Sequence, residues 1–214
     1  KFFKTQSFPT ISGTGPNGAI IHYKANSKSN RVLSKGDIYL VDSGGQYNYG
    51  TTDVTRTISL GNKNTRIKNI FTRVLKGHIA VANFKLKNNT TGSEIDKVAR
   101  SPLKKIKLNY EHGTGHGVGY YLNVHEGPQA FSKNNNFKLR EGMIISNEPG
   151  YYEKGKFGIR IENLLYVNKI SGMGSENIHT EICAPLICIN VGINVSKNII
   201  AIITLVEKFP GKRI

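Results

Sequence analysis

Apolar and polar positions change their period several times along the chain. Asp37-Ile-Tyr-Leu-Val-Asp42 is a short, strongly apolar strand, and Asp53-Val-Thr-Arg-Thr-Ile-Ser-Leu60 alternates and is rich in β-branched residues. Gly44, Gly45 and Gly50 punctuate the connection, so the two segments read as a hairpin. From Asn64 to Lys87 the period lengthens: Ile67, Ile70, Phe71, Val74, Leu75, Ile79, Ala82 and Leu86 recur at the three- and four-residue spacings of an amphipathic helix. Ser93 is the expected N-cap of a second, shorter helix, with Pro102 near its end. Gly142-Met-Ile-Ile-Ser-Asn-Glu148 and Gly158-Ile-Arg-Ile-Glu162-Asn-Leu-Leu-Tyr-Val167 make a second hairpin. At the start, Ser7 to Tyr23 reads as strand, Gly/Pro/Asn turn and strand, followed by a polar loop from Lys24 to Asn30.

The order is therefore strands and hairpin, helices, then strands and hairpin. That is a two-fold duplication of architecture, and helices segregated on one face of antiparallel strands predict an α+β fold. Beyond about Lys169 the pattern turns apolar and irregular, and no element is assigned; the most apolar stretch, Ile199 to Val206, is of strand length. At 214 residues the chain suits one generous domain, long enough to bury a sizeable core. Its first residues, Lys1-Phe-Phe-Lys, carry neither an initiating Met nor a signal-peptide hydrophobic region, so a fragment, a processed product or a truncated chain is expected.

Composition excludes some classes. No apolar run approaches the roughly 20 residues that span a bilayer, so no membrane association is expected. The formal charge of +16 invites a nucleic-acid reading. However, the lysines are dispersed among Asn and Ile, and no helix-turn-helix, zinc-finger or aromatic RNA-binding signature is present, so no nucleic-acid partner is expected. Two cysteines, Cys183 and Cys188, read as free thiols of a reducing, cytoplasmic protein.

Against this basic background the acidic residues are informative. Asp42 with Asp53, and Glu148 with Glu162, fall at corresponding places in the two hairpins, and His116 lies between them in His112-Gly-Thr-Gly-His116-Gly-Val-Gly. Each residue taken singly has a plainer reading as a turn, cap or solvent-facing group. Carboxylates brought close repel one another, and one takes up a proton unless cations intervene. Four carboxylates and one imidazole suit two hard-to-borderline divalent ions, Mn²⁺, Co²⁺, Zn²⁺ or Fe²⁺. Two such ions can hold a water between them and lower its pKa from about 15.7 toward neutrality, making a hydroxide that attacks a carbonyl. Arg160, on the Glu162 strand, is placed to orient a carboxylate.

Seven stretches, in order, resemble the pita-bread metallopeptidase superfamily, and within it the Xaa-Pro aminopeptidases. They are Ser12-Gly-Thr-Gly-Pro-Asn-Gly-Ala-Ile-Ile-His22-Tyr, Val41-Asp42-Ser-Gly-Gly, Thr52-Asp53-Val-Thr-Arg-Thr, the His112 to Gly119 run, Asn123-Val-His125-Glu-Gly-Pro, Ser146-Asn-Glu148-Pro-Gly-Tyr-Tyr and Ile159-Arg-Ile-Glu162-Asn. The resemblance implies the pita-bread fold, a pseudo-two-fold duplicated antiparallel sheet, here truncated at its N-terminal part. It implies residues 1–167 as the catalytic domain and 168–214 as an atypical C-terminal segment. Asp53 and Glu162 would bridge two metal ions, usually Mn²⁺. Asp42 would complete one ion, and His116 with Glu148 the other, Glu148 also shuttling the proton. His22, His112 and His125 would serve catalysis beside the metals, His22 and His125 by binding substrate. Arg160 would support them, and Tyr152 would line the substrate pocket. The reaction implied is release of an N-terminal residue from a peptide whose second residue is proline. Family members are often homodimers. The alternatives are a prolidase, which cuts only Xaa-Pro dipeptides, and an inactive pita-bread binding module.

Overall fold

Two antiparallel strand pairs, each interrupted by a small hairpin, organise the computed structural model, which describes residues 2–87, 89–169 and 178–183. In the first half, β1 (Phe3–Gln6) and β2 (Ile11–Thr14) lead through a 3-10 helix (Gly15–Ala19) to β3 (Ile38–Ser43). The excursion β4 (Gly45–Tyr47) and β5 (Gly50–Thr51) then precedes β6 (Val54–Ser59). Two helices follow, α1 (Thr65–Ala82) and α2 (Gly92–Lys104), then the short pair β7 (Gly115–His116) and β8 (Ala130–Phe131). The second half repeats the plan: β9 (Ile144–Asn147), the excursion β10 (Gly150–Glu153) and β11 (Phe157–Arg160), then β12 (Asn163–Lys169), with β13 (Ile178–Cys183) beyond it.

Strand β3 lies between β2 and β6, and β12 lies between β9 and β13. Asp42 sits opposite Thr55 in the first pair, and Asn147 opposite Asn163 in the second. The expected second hairpin is thus real but split: its return strand is two strands, β11 and β12, divided at Ile161 and Glu162. Period-two burial holds in β3, where Ile38, Leu40 and Asp42 face inward. In β6 the sense is inverted. Thr55 and Thr57 are buried while Ile58 is exposed, because the inward face of this strand meets polar groups of β11 and Glu162.

The expected strand across Ala19 to Tyr23 does not form. Pro16 starts the 3-10 turn, and the Asn17 amide donates to Tyr23 Oη and Ser29 O, closing the segment on itself. Helix α1 stops at Ala82 rather than Lys87; Leu86 is buried nevertheless, packed outside the helix against Phe131, Ile145 and Leu165. At its start, Asn64 Oδ1 accepts from the backbone N–H of Arg66 and Ile67. Helix α2 is capped by Thr91 rather than Ser93, with the Glu94 carboxylate returning to Thr91 N at 2.8 Å; Ser93 N instead donates to Asn135 O.

The helices pack on each other and cover both halves. Ile70, Val74 and Leu75 of α1 meet Ile38, Phe157 and Ile159, while Val81 joins Ile95 and Ala99 of α2 against Ile145 and Leu165. The fold is the expected α+β duplication. Among the described residues no helix is long and apolar enough to cross a membrane. The 199–206 stretch and Cys188 lie outside the described residues, as does the side chain of Cys183.

Candidate metal centre

The duplicated hairpins aim their acidic residues at one place. Asp42 is the last inward-facing residue of β3, and Asp53 immediately precedes β6. Glu148 immediately follows β9, and Glu162 immediately precedes β12. His116 reaches them from β7. A side chain at Gly115 would overlap Ser146 O, so only glycine lets this strand close on β9. There the His116 N–H donates to Ser146 Oγ at 2.9 Å, and Nδ1 lies 2.9 Å from Gly117 O. With Nδ1 directed at that carbonyl, Nε2 is the ring nitrogen that faces the carboxylates.

His116 Nε2 is 3.3 Å from Asp53 Oδ2 and 3.4 Å from Glu148 Oε1. One donor atom each from Asp53, His116 and Glu162 lie within 4.8 Å of one another. Glu162 Oε2 accepts from the Thr55 hydroxyl, and Glu148 Oε1 from the Ser146 hydroxyl at 2.9 Å. Asp42 Oδ2 is paired with Arg160 Nη2 at 2.7 Å. All four carboxyls are sequestered, Asp42 at 7%, Asp53 at 4% and Glu162 at 1% exposure, with Glu148 half-buried.

Burial and mutual repulsion act together on these groups. Glu148 is pushed up to about 7, first by loss of water and then by Asp53, against the pull of His116 and Arg160. Glu162 is raised well above the carboxylate range by burial and by the charges of Glu148, Asp53 and Asp42. Asp42 is raised by burial too, although Arg160 opposes it. Burial lowers His116, yet its bond to Asp53 and the charge of Glu148 outweigh that, and its pKa ends above the usual value.

A second layer surrounds this cluster. Arg160 Nη1 donates to Tyr152 Oη at 2.7 Å, and Tyr152 Oη lies 2.9 Å from His112 Nε2. Burial lowers His112 to about 4, so the ring is neutral; with its proton on Nδ1 it donates to Gly113 O and accepts from Tyr152. A cavity of about 990 Å³ opens over the cluster, lined by Asp42, Asp53, His116, Glu148 and Arg160 together with His22, His112 and His125. The His125 ring stands 4.0 Å from that of His116, centroid to centroid. Tyr152 does not line this cavity; its hydroxyl is engaged behind it.

The structure thus gathers Asp42, Asp53, His116, Glu148, Arg160 and the three further histidines around one cavity, with Glu162 buried beside Asp53 and His116. Sequence reasoning passed over Thr55 and Ser146, whose hydroxyls hold the two glutamates. Thr55 was findable: it is two residues from Asp53, hence on the same strand face. It also passed over Asp96 and Arg100 of α2, a buried pair at 2.8 Å. Arg100 donates to Tyr110 O and His112 O, and Asp96 accepts from Thr114, which pins the loop carrying His112 and His116.

The donor set fits a pair of divalent ions. Asp42 Oδ1 and Asp53 Oδ1 are buried and accept no hydrogen bond among the described residues. Unpartnered buried carboxylate oxygens are costly, and cation coordination satisfies them. Oxygen-rich donors with a single imidazole suit hard-to-borderline metals.

Comparison with known proteins bears on the same residues. Residues 2–169 match metallopeptidase family M24. Over 171 residues the chain is 54% identical to a probable Xaa-Pro aminopeptidase P of Laccaria bicolor, covering 78% of this chain and 27% of that protein. Over 170 residues it is 52% identical to aminopeptidase P1 of Lotus japonicus, covering 79% and 26% respectively. The chain therefore spans about a quarter of the length of the curated relatives it matches. Its structure is similar to the X-prolyl aminopeptidase of Caenorhabditis elegans, a cytosolic enzyme with a di-nuclear active site. The TM-score is 0.80 at 40% identity, over 85% of this chain and 30% of that one. It is also similar to prolidase from Pyrococcus furiosus, with TM-score 0.72 at 30% identity over 84% and 50%.

Proposed function

The chain belongs to metallopeptidase family M24, and from that membership we propose that residues 1–167 are the catalytic unit of a Xaa-Pro aminopeptidase. The observation that carries the reading is the convergence of Asp53, His116 and Glu162 donor atoms within 4.8 Å, beside buried carboxylate oxygens with no partner among the described residues. Asp53 and Glu162, which precede corresponding strands of the two halves, would bridge two divalent ions. Asp42 would complete one site, and His116 with Glu148 the other. Mn²⁺ is the preferred pair, with Co²⁺, Zn²⁺ and Fe²⁺ as competitors. When bound, the ions supply a water whose pKa lies near neutrality and stabilise negative charge on the substrate.

The remaining work falls to side chains. Glu148 would take up the proton that the attacking water gives up and return it to the departing proline nitrogen. That transfer lets the nitrogen leave as a neutral amine rather than as an anion. His22 and His125 stand exposed on the cavity wall and would grip the peptide. Neutral His112, whose two ring nitrogens are taken by Gly113 O and Tyr152, would shape the wall beside the peptide. The locating contact of Arg160 on Asp42 would keep one ligand fixed, and Tyr152 would fix the His112 tautomer. By likeness to the cytosolic relative, we place the protein in the cytoplasm, with peptides bearing proline second as its partners.

The test joins metal content to turnover. The metal-free chain is titrated with Mn²⁺ and assayed on Xaa-Pro-Xaa and Xaa-Pro peptides. Two ions per chain with tripeptide cleavage support the reading; cleavage of dipeptides alone moves it to prolidase. Folded protein that takes up no metal in the titration and never turns over would make it a binding module. Asp53→Ala should abolish turnover, and near-normal rates in that variant would sink the bridging assignment.

A further inference from the structure

Beside the carboxylate strands a second polar layer runs through residues outside the proposed ligand set. His78 of α1 is buried, at 5% exposure, in a helix face otherwise made of Ile70, Val74 and Val81. Its Nδ1 lies 3.0 Å from Asn147 O and its Nε2 lies 3.4 Å from Asn163 Nδ2. The Asn147 amide donates back to His78 O at 2.9 Å. Asn163 Oδ1 accepts from Arg56 Nη2 at 3.0 Å, and Arg56 Nη1 donates to Glu162 O at 2.7 Å. Asn147 and Asn163 face each other in the β9–β12 register, one residue before Glu148 and one residue after Glu162.

Only one assignment of protons satisfies every link. Arg56 can only donate, so Asn163 must turn its oxygen to Arg56 and its amide to His78. His78 Nε2 must then accept, which leaves the proton on Nδ1, directed at Asn147 O. A neutral ring is required, and burial holds this histidine neutral, lowering it to about 4. The chain therefore has a direction, from Arg56 through Asn163 and His78 to the backbone beside Glu148.

We infer that His78 is a positioning residue for the metal centre: with Asn147, Asn163 and Arg56 it clamps the strand ends from which Glu148 and Glu162 project. The inference rests on the reading of those glutamates as ligands. Side chains alternate faces along a strand, so fixing Asn147 and Asn163 inward behind the sheet turns their neighbours Glu148 and Glu162 to the cavity side. Glu148 N donates to Thr114 O and Glu162 N to Thr55 O, and these two amides report whether the strand ends stay in place. Groups that orient metal ligands typically change metal affinity by about 10–100-fold when removed.

The test uses the full chain and reads two quantities: Mn²⁺ affinity by titration calorimetry, and hydrogen exchange at the Glu148 and Glu162 amides in metal-free protein. His78→Ala should weaken Mn²⁺ binding about 10–100-fold and speed exchange at those two amides more than in β3. His78→Asn, whose amide can still donate toward Asn147 O, should stay close to wild type on both. Equal losses in His78→Ala and His78→Asn would assign the effect to packing and overturn the inference, as would unchanged values in both. If His78→Ala does not fold, Asn163→Leu interrupts the same chain at similar volume and is expected to give the same pair of changes; its failure to do so overturns the inference. Wild-type protein that binds no Mn²⁺ would defeat the metal reading, while the exchange rates would still decide the clamp.

Discussion

The two halves hold their acidic residues by different means. In the first half the groups are short aspartates, and each leaves one buried oxygen, Asp42 Oδ1 and Asp53 Oδ1, without a donor among the described residues. In the second half they are glutamates, and each is met by a hydroxyl, Ser146 for Glu148 and Thr55 for Glu162. The supports are also exchanged. Arg160, from β11 of the second half, holds Asp42 of the first, whereas Thr55, from β6 of the first, holds Glu162 of the second. The centre is therefore the junction at which the duplicated halves grip each other. Its ligands leave unequal room for metal: open oxygens on one side, oriented ones on the other.

The strongest way to break the comparison is to remove the cation that crosses between halves. Arg160 is 2% exposed and its pKa stands above its ordinary value: burial opposes the charge, but Tyr152 and the surrounding carboxylates outweigh it. Arg160→Ala leaves Asp42, Tyr152 and Thr55 without a shared donor. Breaking a buried pair from one side costs about 3–5 kcal/mol. That loss is expected in urea unfolding of the metal-free protein, with Mn²⁺ recovering part of it by binding the folded state. A loss under about 1 kcal/mol would mean that the other links between the halves, Thr55 to Glu162 and Arg56 to Glu162 O among them, carry the junction without this cation.

A smaller and pH-dependent change isolates the second half. Glu148 has a folded pKa of about 7 against 4.5 for an ordinary glutamate. The folded state thus binds this proton more tightly, and ionising the group removes stability as pH rises from about 4.5 through 7. His78 and His112, lowered to about 4, act in the opposite direction, losing stability as pH falls from 6.5 toward 4. Whole-protein pH profiles therefore mix the two. Comparing Glu148→Gln with wild type cancels the histidine contribution. In metal-free protein the variant should be more stable by about 2–3 kcal/mol at pH 8, with the gain vanishing near pH 4. Excess Mn²⁺ should reverse the sign at pH 8, because metal binding needs the deprotonated carboxylate. A gain that persists at pH 4 would mean that shape, not charge, separates the two side chains.

How much of this was written in the chain depends on distance. Hydrophobic period placed α1, β3 and both hairpins because each records burial in its own spacing. The five proposed ligands stood out as acidic residues at matching hairpin positions in a basic chain. The strand foreseen across Ala19 to Tyr23 failed because Asn17 finds partners in Tyr23 and Ser29, a contact no period reports. Thr55 and Thr57 face inward where alternation favours Ile58, since their partners, Glu162 and Arg160, lie more than a hundred residues away. His78 read as one more residue of an amphipathic helix. Its meaning came only when Asn147 and Asn163 were brought to its ring.

The finest test of the comparison weighs the two hydroxyls against each other. Thr55 Oγ1 donates to Glu162 and accepts from Arg160 Nε at 3.1 Å, with every partner buried. Ser146 Oγ donates to Glu148 and accepts from the His116 N–H, but the Glu148 side chain keeps 16% exposure. Thr55→Val keeps volume and leaves a buried carboxyl and a guanidinium N–H unpaired, at a cost of about 1–3 kcal/mol. Ser146→Ala should cost about 1 kcal/mol, since water can reach Glu148 in place of the hydroxyl. Both are read as shifts in urea midpoint at pH 7, with the slope unchanged. The ordering is what matters: Thr55 joins one half to the other, whereas Ser146 orients a ligand within its own half. If Ser146→Ala proves the more damaging, the centre is held chiefly by the local fit of β7 to β9, and the crossed supports are secondary.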